Sequence, residues 1–162
     1  MHRSPSVASL LALAVAASGC SLVVDPDASV QPECMTRLGP VGEENVVLLG
    51  AILPIQGNAS SIGVPMMQAI ELAVSELNDT GGLGDRRRLG VIVCDSSGRR
   101  AQGLEVADYL VNDLSVPLII GPAFSGIFID VTTQVTVPAG VMTLSPSATS
   151  PVIAGLPDEG LA

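Results

Sequence analysis

The chain has 162 residues, of which 48% are hydrophobic, and it carries a formal net charge of −9 at neutral pH. This length supplies apolar material for one core rather than for two complete domains. The charge has the wrong sign for gripping a phosphate backbone, so the sequence predicts that nucleic acid is not a partner. The aromatic residues, Tyr109, Phe124 and Phe128, are too few for base-stacking platforms or for aromatic cages around quaternary ammonium ligands.

The first twenty residues have the layout of a secretory signal. A short basic start precedes an apolar run over residues 7–17 and then small residues. The run is shorter than the ~20 apolar residues that a membrane-spanning helix needs. Residues 17–20, Ala-Ser-Gly-Cys, resemble a lipobox, so we expect cleavage before Cys20 and a diacylglycerol anchor on that cysteine. The alternative is an ordinary signal peptide that is cut nearby.

Removal of this signal would also remove His2, which is the only histidine of the chain. Without histidine, Ser-His-Asp and Cys-His nucleophile systems cannot be assembled, and the common zinc and iron sites lose their principal ligand. The sequence therefore predicts no enzyme, no metal site and no cofactor. Cys34 and Cys94 would lie in an oxidising compartment, where one disulfide between them is the simplest arrangement and two free buried thiols are the alternative.

Strands and helices alternate after a proline-containing leader. Residues 21–45 carry three prolines and little periodicity, so we expect a tether without regular structure. Residues 46–53 are apolar on both faces, which is typical of a central parallel strand. Apolar positions at helical spacing predict a helix over residues 64–78, and residues 89–94 predict a second strand.

The second half of the chain continues this alternation. The pattern predicts a helix over residues 101–114 and strands over 116–120 and 140–144. Between the last two strands, residues 127–137 are rich in β-branched side chains, which favour a strand. We nevertheless predict a helix there, because two parallel strands need a crossover of about a dozen residues. The predicted fold class is α/β, with a partial doubly wound parallel sheet.

Three predicted loops meet at the carboxyl ends of the strands, which is where such sheets bind ligands. They span residues 55–63, 121–126 and 145–151, and all are rich in glycine and small hydroxyl residues. Glycine lets backbone N–H groups approach a ligand closely, and Ser125 at a predicted helix start adds the positive end of the helix dipole. These features suit a carboxylate. Serine and threonine in loops are also ordinary caps and turn formers, and this alternative stays open.

Over about residues 46–151 the chain resembles the type I periplasmic binding proteins, and in particular the leucine/isoleucine/valine-binding receptors of ABC transporters. Four segments carry the resemblance, in the order in which that family has them. They are residues 49–57, residues 71–78 followed by two glycines, the turn at 120–122 and the serine-rich segment 145–151. The resemblance implies that residues 46–162 form the N-terminal lobe of a two-lobed solute-binding domain.

The same resemblance assigns roles to three residues. In the family, the first lobe holds the α-carboxylate and α-ammonium groups through a serine after the third strand and an Ala/Thr pair after the fourth. These roles fall on the hydroxyl and N–H of Ser125, the backbone of Ser147 and the hydroxyl of Thr149. Two positions depart from the pattern. Ile62 replaces an aromatic residue that often covers the ligand, and Phe124 replaces a disulfide cysteine of some members.

Other tempting motifs fail on their context. Asp95 follows the second strand as a ribose-binding acid would, but the first strand lacks a G-x-G-x-x-G loop, so we interpret it as the acidic turn common in this family. The glycine-rich residues 81–85 follow a helix and close it rather than cradling phosphate. Ser125 lacks the G-x-S-x-G spacing of a hydrolase nucleophile. The three arginines at 86–88 are fewer than the charges that mark an interaction tail, so we expect a solvated turn.

Together with the lipobox, the resemblance implies an extracytoplasmic solute-binding lipoprotein, a fragment of the amino-acid (branched-chain type) receptor of an ABC transporter. Its expected partners are a small polar solute such as an amino acid or related carboxylate, an ABC permease, and the membrane through Cys20. The alternative is a ligand-sensing or envelope regulatory lipoprotein of the same fold without transport. Ser21 does not resemble the Asp retention signal, which favours the outer membrane. We expect the lobe at 46–162 to be incomplete at its C-terminus, with exposed apolar surface and low solubility as the consequence.

Overall fold

The computed structural model describes residues 32–162, so the predicted signal and the lipidation site at Cys20 lie outside the described residues. Five strands form one sheet in the order β1-β3-β2-β4-β5. They are β1 (Thr36–Leu38), β2 (Val46–Leu53), β3 (Arg88–Asp95), β4 (Leu118–Ile120) and β5 (Met142–Leu144). Strands β2 to β5 run parallel, and β1 pairs antiparallel with β3. The four predicted strands and the α/β fold class are confirmed.

Three helices connect the parallel strands. They are α1 (Ser60–Asp79), α2 (Arg100–Asp108) and α3 (Ser125–Val131), and the last two continue as π-helical turns at Tyr109–Asp113 and Thr132–Thr136. The helix predicted over the β-branched residues 127–137 is confirmed. Val131, Thr132 and Thr136 are buried there, so tertiary packing overrides their strand propensity.

The sheet packs helices on both faces because the side chains of a strand point to opposite sides in turn. In β2, Ile52 belongs to a core cluster shared with α2 and α3, whereas Ala51 and Leu53 belong to a second cluster shared with α1. All three side chains are fully buried. The central strand is therefore apolar on both faces, as its sequence predicted.

The expectation of a tether without regular structure was wrong for the part of residues 21–45 that the structure describes. Residues Thr36–Leu38 form the edge strand β1, in which Arg37 pairs with Ile92 of β3, and Leu38 is buried. A disulfide joins Cys34, just before β1, to Cys94, which lies in β3. A three-residue strand is too short to show hydrophobic periodicity, and its pairing partner lies more than fifty residues away, so the local pattern could not reveal it.

Within residues 32–162, no helix is long and apolar enough to cross a membrane. The same part of the chain holds no group of three or more His, Cys, Asp or Glu side chains that could ligate a metal ion.

Candidate functional site

The site is defined by a reversal of strand order in the middle of the sheet. Strand β3 lies on one side of β2 and β4 lies on the other, so the chain steps from β2 to β3 in one direction and then crosses back past β2 to reach β4. The loops that follow β2 and β4 diverge at this point. In doubly wound sheets the resulting crevice, outside the carboxyl ends of the strands, is where ligands bind.

A glycine brings the exit of β4 close to β2. Gly121 has a φ of +97°, and a Cβ atom at this position would lie 2.2 Å from the carbonyl oxygen of Ile52. Its N–H donates to the carbonyl oxygen of Leu144 at 2.8 Å, and its peptide bond to Pro122 is cis. Any side chain would fail here on both conformation and space. The glycine thus allows the chain to pass tightly across β2 before it enters the loop that leads to Ser125.

Ser125 and Thr149, two of the predicted ligand-binding residues, lie together at this edge. Ser125 is the first residue of α3, and its Oγ accepts hydrogen bonds from the N–H groups of Thr149 at 3.0 Å and Ser150 at 3.2 Å. A hydroxyl has one hydrogen and two lone pairs. With two N–H groups bound to its oxygen, Ser125 keeps its own hydrogen to donate toward a ligand. The side chain of Thr149 is exposed at the same edge.

Ser147, the third predicted residue, uses its side chain to join the loops after β4 and β5. Its hydroxyl donates to the carbonyl oxygen of Ala123 at 2.7 Å. Ser145 does the same two residues earlier, donating to the carbonyl oxygen of Pro122 at 2.7 Å and accepting from the N–H of Ala148 at 3.0 Å. These two hydroxyls therefore hold the two loops together. For Ser147 this leaves the backbone as the part that could face a ligand, which is the group that the sequence comparison assigned.

The two positions that depart from the family pattern lie at the same edge of the sheet. Ile62 is in the first turn of α1 with 42% of its surface exposed, so it offers an aliphatic cover in place of an aromatic one. Phe124 precedes α3 and is half-buried against the turn that follows β3, near Gly98. Both side chains therefore contribute apolar surface around the polar loops.

Asp95 carries contacts that the sequence analysis did not anticipate. It ends β3, is 2% exposed, and its Oδ1 accepts hydrogen bonds from the N–H groups of Ile55 at 2.8 Å and Gln56 at 3.2 Å. These residues belong to the loop after β2. The sequence placed Asp95 in an acidic turn but carried no signal for the partners, because they lie 40 and 39 positions away and are backbone groups.

Known proteins are similar in sequence and in fold to this part of the chain. Residues 46–157 match the family model described as periplasmic binding protein. A Leu/Ile/Val-binding protein from Rhizobium johnstonii is 32% identical over 106 residues, which are 65% of this chain and 28% of the relative. A Leu/Ile/Val-binding protein homolog from Brucella abortus is 31% identical over 105 residues, with the same two shares. The chain thus spans 28% of the length of these curated relatives.

Solved structures agree with the sequence matches. A branched-chain amino acid transporter substrate binding protein from Streptococcus pneumoniae, in complex with isoleucine, superposes with a TM-score of 0.64 at 28% identity. The match covers 68% of this chain and 31% of that one. An ABC transporter substrate-binding protein from Desulfitobacterium hafniense, in complex with Leu, gives a TM-score of 0.62 at 26% identity, over 70% of this chain and 32% of that one.

Proposed function

Because the chain belongs to the periplasmic binding protein family, whose members are solute-binding proteins rather than enzymes, we propose that it is an extracytoplasmic receptor for an amino acid. Membership of this family implies a location outside the cytoplasm. A branched-chain amino acid is the ligand that we favour. The curated relatives are named Leu/Ile/Val-binding proteins, and two of the similar structures contain isoleucine and Leu.

The observation that carries this proposal is the pair of hydroxyl groups on Ser125 and Thr149 at the switch point of the sheet. The Ser125 oxygen is occupied by two N–H groups, so its hydrogen is left to donate to an acceptor such as a ligand carboxylate. The Thr149 hydroxyl can both donate and accept, so it serves a carboxylate or an ammonium group. A zwitterion presents both, and neutral hydroxyl groups bind it without a net charge at the site.

The charges near Ser125 support a zwitterionic ligand rather than a strongly anionic one. Arg100 reaches the carbonyl oxygen of Gly126, next to Ser125, but its guanidinium group is paired with the carboxylate of Asp130 at 2.9 Å. The arginine therefore brings little free positive charge to this edge. Hydrogen bonding, rather than a cationic clamp, would hold the carboxylate of the ligand.

Transport requires more than this lobe. In the proposed mechanism a second lobe closes over the ligand, and the closed form is favoured because it binds the ligand more tightly than the open form. The closed receptor would deliver the ligand to an ABC permease. The cysteine at position 20 would carry the lipid anchor that holds the receptor at the periplasmic face of the membrane, with the outer membrane favoured.

Ligand binding can be tested on the chain with Cys20→Ser, which removes the lipidation site. We would titrate ¹⁵N-labelled protein with L-leucine, L-isoleucine and L-valine and follow the amide resonances. We expect the largest shifts at Ser125, Ser147 and Thr149. Thr149→Val keeps the backbone bond to Ser125 and removes only the hydroxyl, so it should weaken binding about tenfold or more, as expected for one hydrogen bond to a charged group.

Ser75→Ala is the matched control, because this exposed serine of α1 bonds only weakly to Asp79 at 3.4 Å and lies away from the loops. It should leave the affinity unchanged. Absence of any leucine-dependent shift at the three loop residues would contradict the proposed ligand. If leucine binds but deletion of the gene leaves leucine uptake unchanged, the protein is a sensor of the same fold rather than a transport receptor.

A further inference from the structure

The turn after β3 contacts both loops that border the ligand crevice. This turn, residues 95–98, begins with the buried carboxylate of Asp95. Oδ1 of that carboxylate accepts three backbone N–H groups, from Ile55 at 2.8 Å, Gln56 at 3.2 Å and Ser97 at 2.9 Å. Oδ2 accepts the hydroxyl of Ser97. One carboxylate thus binds the loop after β2 and its own turn together.

These bonds are charge-assisted and shielded from water, which makes them stronger than ordinary loop contacts. Asp95 belongs to neither the Arg88–Glu43 nor the Arg100–Asp130 ion pair, and backbone N–H groups stabilise its charge. Removing the acceptor would leave the N–H of Gln56 unpaired in a partly buried place, which costs about as much free energy as one lost hydrogen bond. The N–H of Ile55 would keep only its bond to the carbonyl oxygen of Leu53 at 3.1 Å.

The turn itself is held in place by bonds to α2 and to the end of β2. The side-chain amide of Gln102 donates to the backbone carbonyl of Asp95 at 2.7 Å, and Arg99 donates to the oxygen of the same amide. The N–H of Ser96 donates to the carbonyl oxygen of Leu53, at the end of β2, at 2.9 Å. The position of the Asp95 carboxylate is therefore fixed by the ends of strands β2 and β3, and it does not move with a free loop.

The far side of the turn lies beside the residue before Ser125. Gly98 has a φ of +70°, and a Cβ atom there would lie 3.2 Å from Cε2 of Phe124 and 3.7 Å from Cβ of Ala59. Phe124 directly precedes α3, and Ala59 directly precedes α1. One short turn thus touches the segments that lead into both helices at the crevice.

We propose that Asp95 is a positioning residue for ligand recognition: through its bonds to Ile55 and Gln56 it sets the place of the loop after β2 relative to the hydroxyl of Ser125. This inference rests on the proposed function, because it takes the crevice as the ligand site. The carboxylate also occupies the N–H groups of Ile55 and Gln56, which leaves the ligand carboxylate to the loops after β4 and β5.

Two substitutions separate positioning from charge. Asp95→Asn keeps an oxygen where Oδ1 stands but removes the charge, whereas Asp95→Glu keeps the charge but moves it by one methylene. Positioning predicts that the Asn variant holds leucine within about threefold of the unsubstituted chain. It predicts that the Glu variant shifts the amide resonances of Ile55 and Gln56 without ligand and weakens binding about tenfold.

Ser97→Ala is the control, because it removes the hydroxyl bond to Oδ2 and leaves the bonds to Ile55 and Gln56 intact. It should change neither the two amide resonances nor the affinity. Thermal unfolding of each variant identifies any that fails to fold, and the comparison of Asn with Glu needs no deletion of the side chain.

The proposal is overturned if the Asp95→Glu variant binds leucine as tightly as the unsubstituted chain while the Asp95→Asn variant loses binding. In that case only the charge of the carboxylate would matter. The proposal is also overturned if the Glu variant leaves both amide resonances in place. If the unsubstituted chain binds no leucine, the proposed function fails, and the resonances of Ile55 and Gln56 in the ligand-free variants still decide whether Asp95 positions the loop.

Discussion

The two faces of the sheet differ in how completely they are covered. On the face of α2 and α3, the residues that point inward are almost all buried, with Ile52, Leu110 and Ile119 fully so. On the other face α1 covers β2 and β3, and Ile120 of β4 is partly buried against the same cluster, while β5 presents apolar side chains to solvent. Met142 is 44% exposed and Leu144 is 61% exposed, whereas Thr143 between them is buried toward α3.

This difference follows from the same reversal of strand order that creates the crevice. Parallel crossovers are right-handed, so the helix of a crossover lies on one face when the chain moves in one direction and on the other face when it moves back. The step from β2 to β3 places α1 on one face, and the two later crossovers place α2 and α3 on the opposite face. A doubly wound sheet therefore needs elements beyond these three helices to cover its second face evenly.

The disulfide gives the largest expected effect on the well-covered face, since Cys34 and Cys94 both belong to its core. The bond closes a loop with a sequence separation of 60, for which chain entropy predicts a stabilisation of about 4 kcal/mol. We expect the free energies of unfolding of the oxidised and reduced chains, measured with urea, to differ by about this amount. In a variant with both cysteines replaced by alanine, the reductant should have no effect.

Leu110→Ala has the next largest expected effect and tests the core of the well-covered face. Leu110 is fully buried and packs on Gly50, where an added Cβ atom would lie 2.8 Å from one of its methyl groups. The substitution should cost about 3 kcal/mol of unfolding free energy, because it removes buried methyl groups and leaves a cavity. Leu72→Ala, at a position of α1 that is 59% exposed, is the matched control. It should cost less than about 0.5 kcal/mol.

The smallest effect on stability is expected for substitutions on the less covered face of the sheet, and self-association is the property that tests this face. The double variant Met142→Ser/Leu144→Ser removes apolar surface that is already in water, so its stability should change by less than about 1 kcal/mol. Sedimentation velocity should show concentration-dependent association of the unsubstituted chain and less of it in the variant. Leu72→Ser, away from β4 and β5, should retain the association. If the unsubstituted chain stays monomeric at high concentration, this face does not mediate self-association.

Particular elements show how far sequence reasoning reaches. The strand at 46–53 was predicted with its exact bounds, because a run that is apolar on both faces has few alternatives to a central strand. The third helix was predicted against local propensity, because the parallel crossover requires it. The strand Thr36–Leu38 was missed, since only its pairing with β3 makes it a strand.

The candidate site divides in the same way. Ser125, Ser147 and Thr149 were named from motif order, and the structure brings the loops that carry them together; their contact with a ligand remains a prediction. The bonds of Ser147 to Ala123, and of Asp95 to Ile55 and Gln56, join residues 24 to 40 positions apart. No local pattern marks such partners, because backbone N–H and carbonyl groups are the same at every position.

The sequence by itself determined the alternation of strands and helices, the loops that carry small polar residues and the family to which the chain belongs. These properties depend on local periodicity and motif order, which are written along the chain. Only the tertiary structure decided which hydroxyl groups are used to join loops, which acid bonds to the loop after β2 and which face of the sheet stays open. Those outcomes depend on strand order and on contacts between distant backbone groups, which exist only once the sheet has formed.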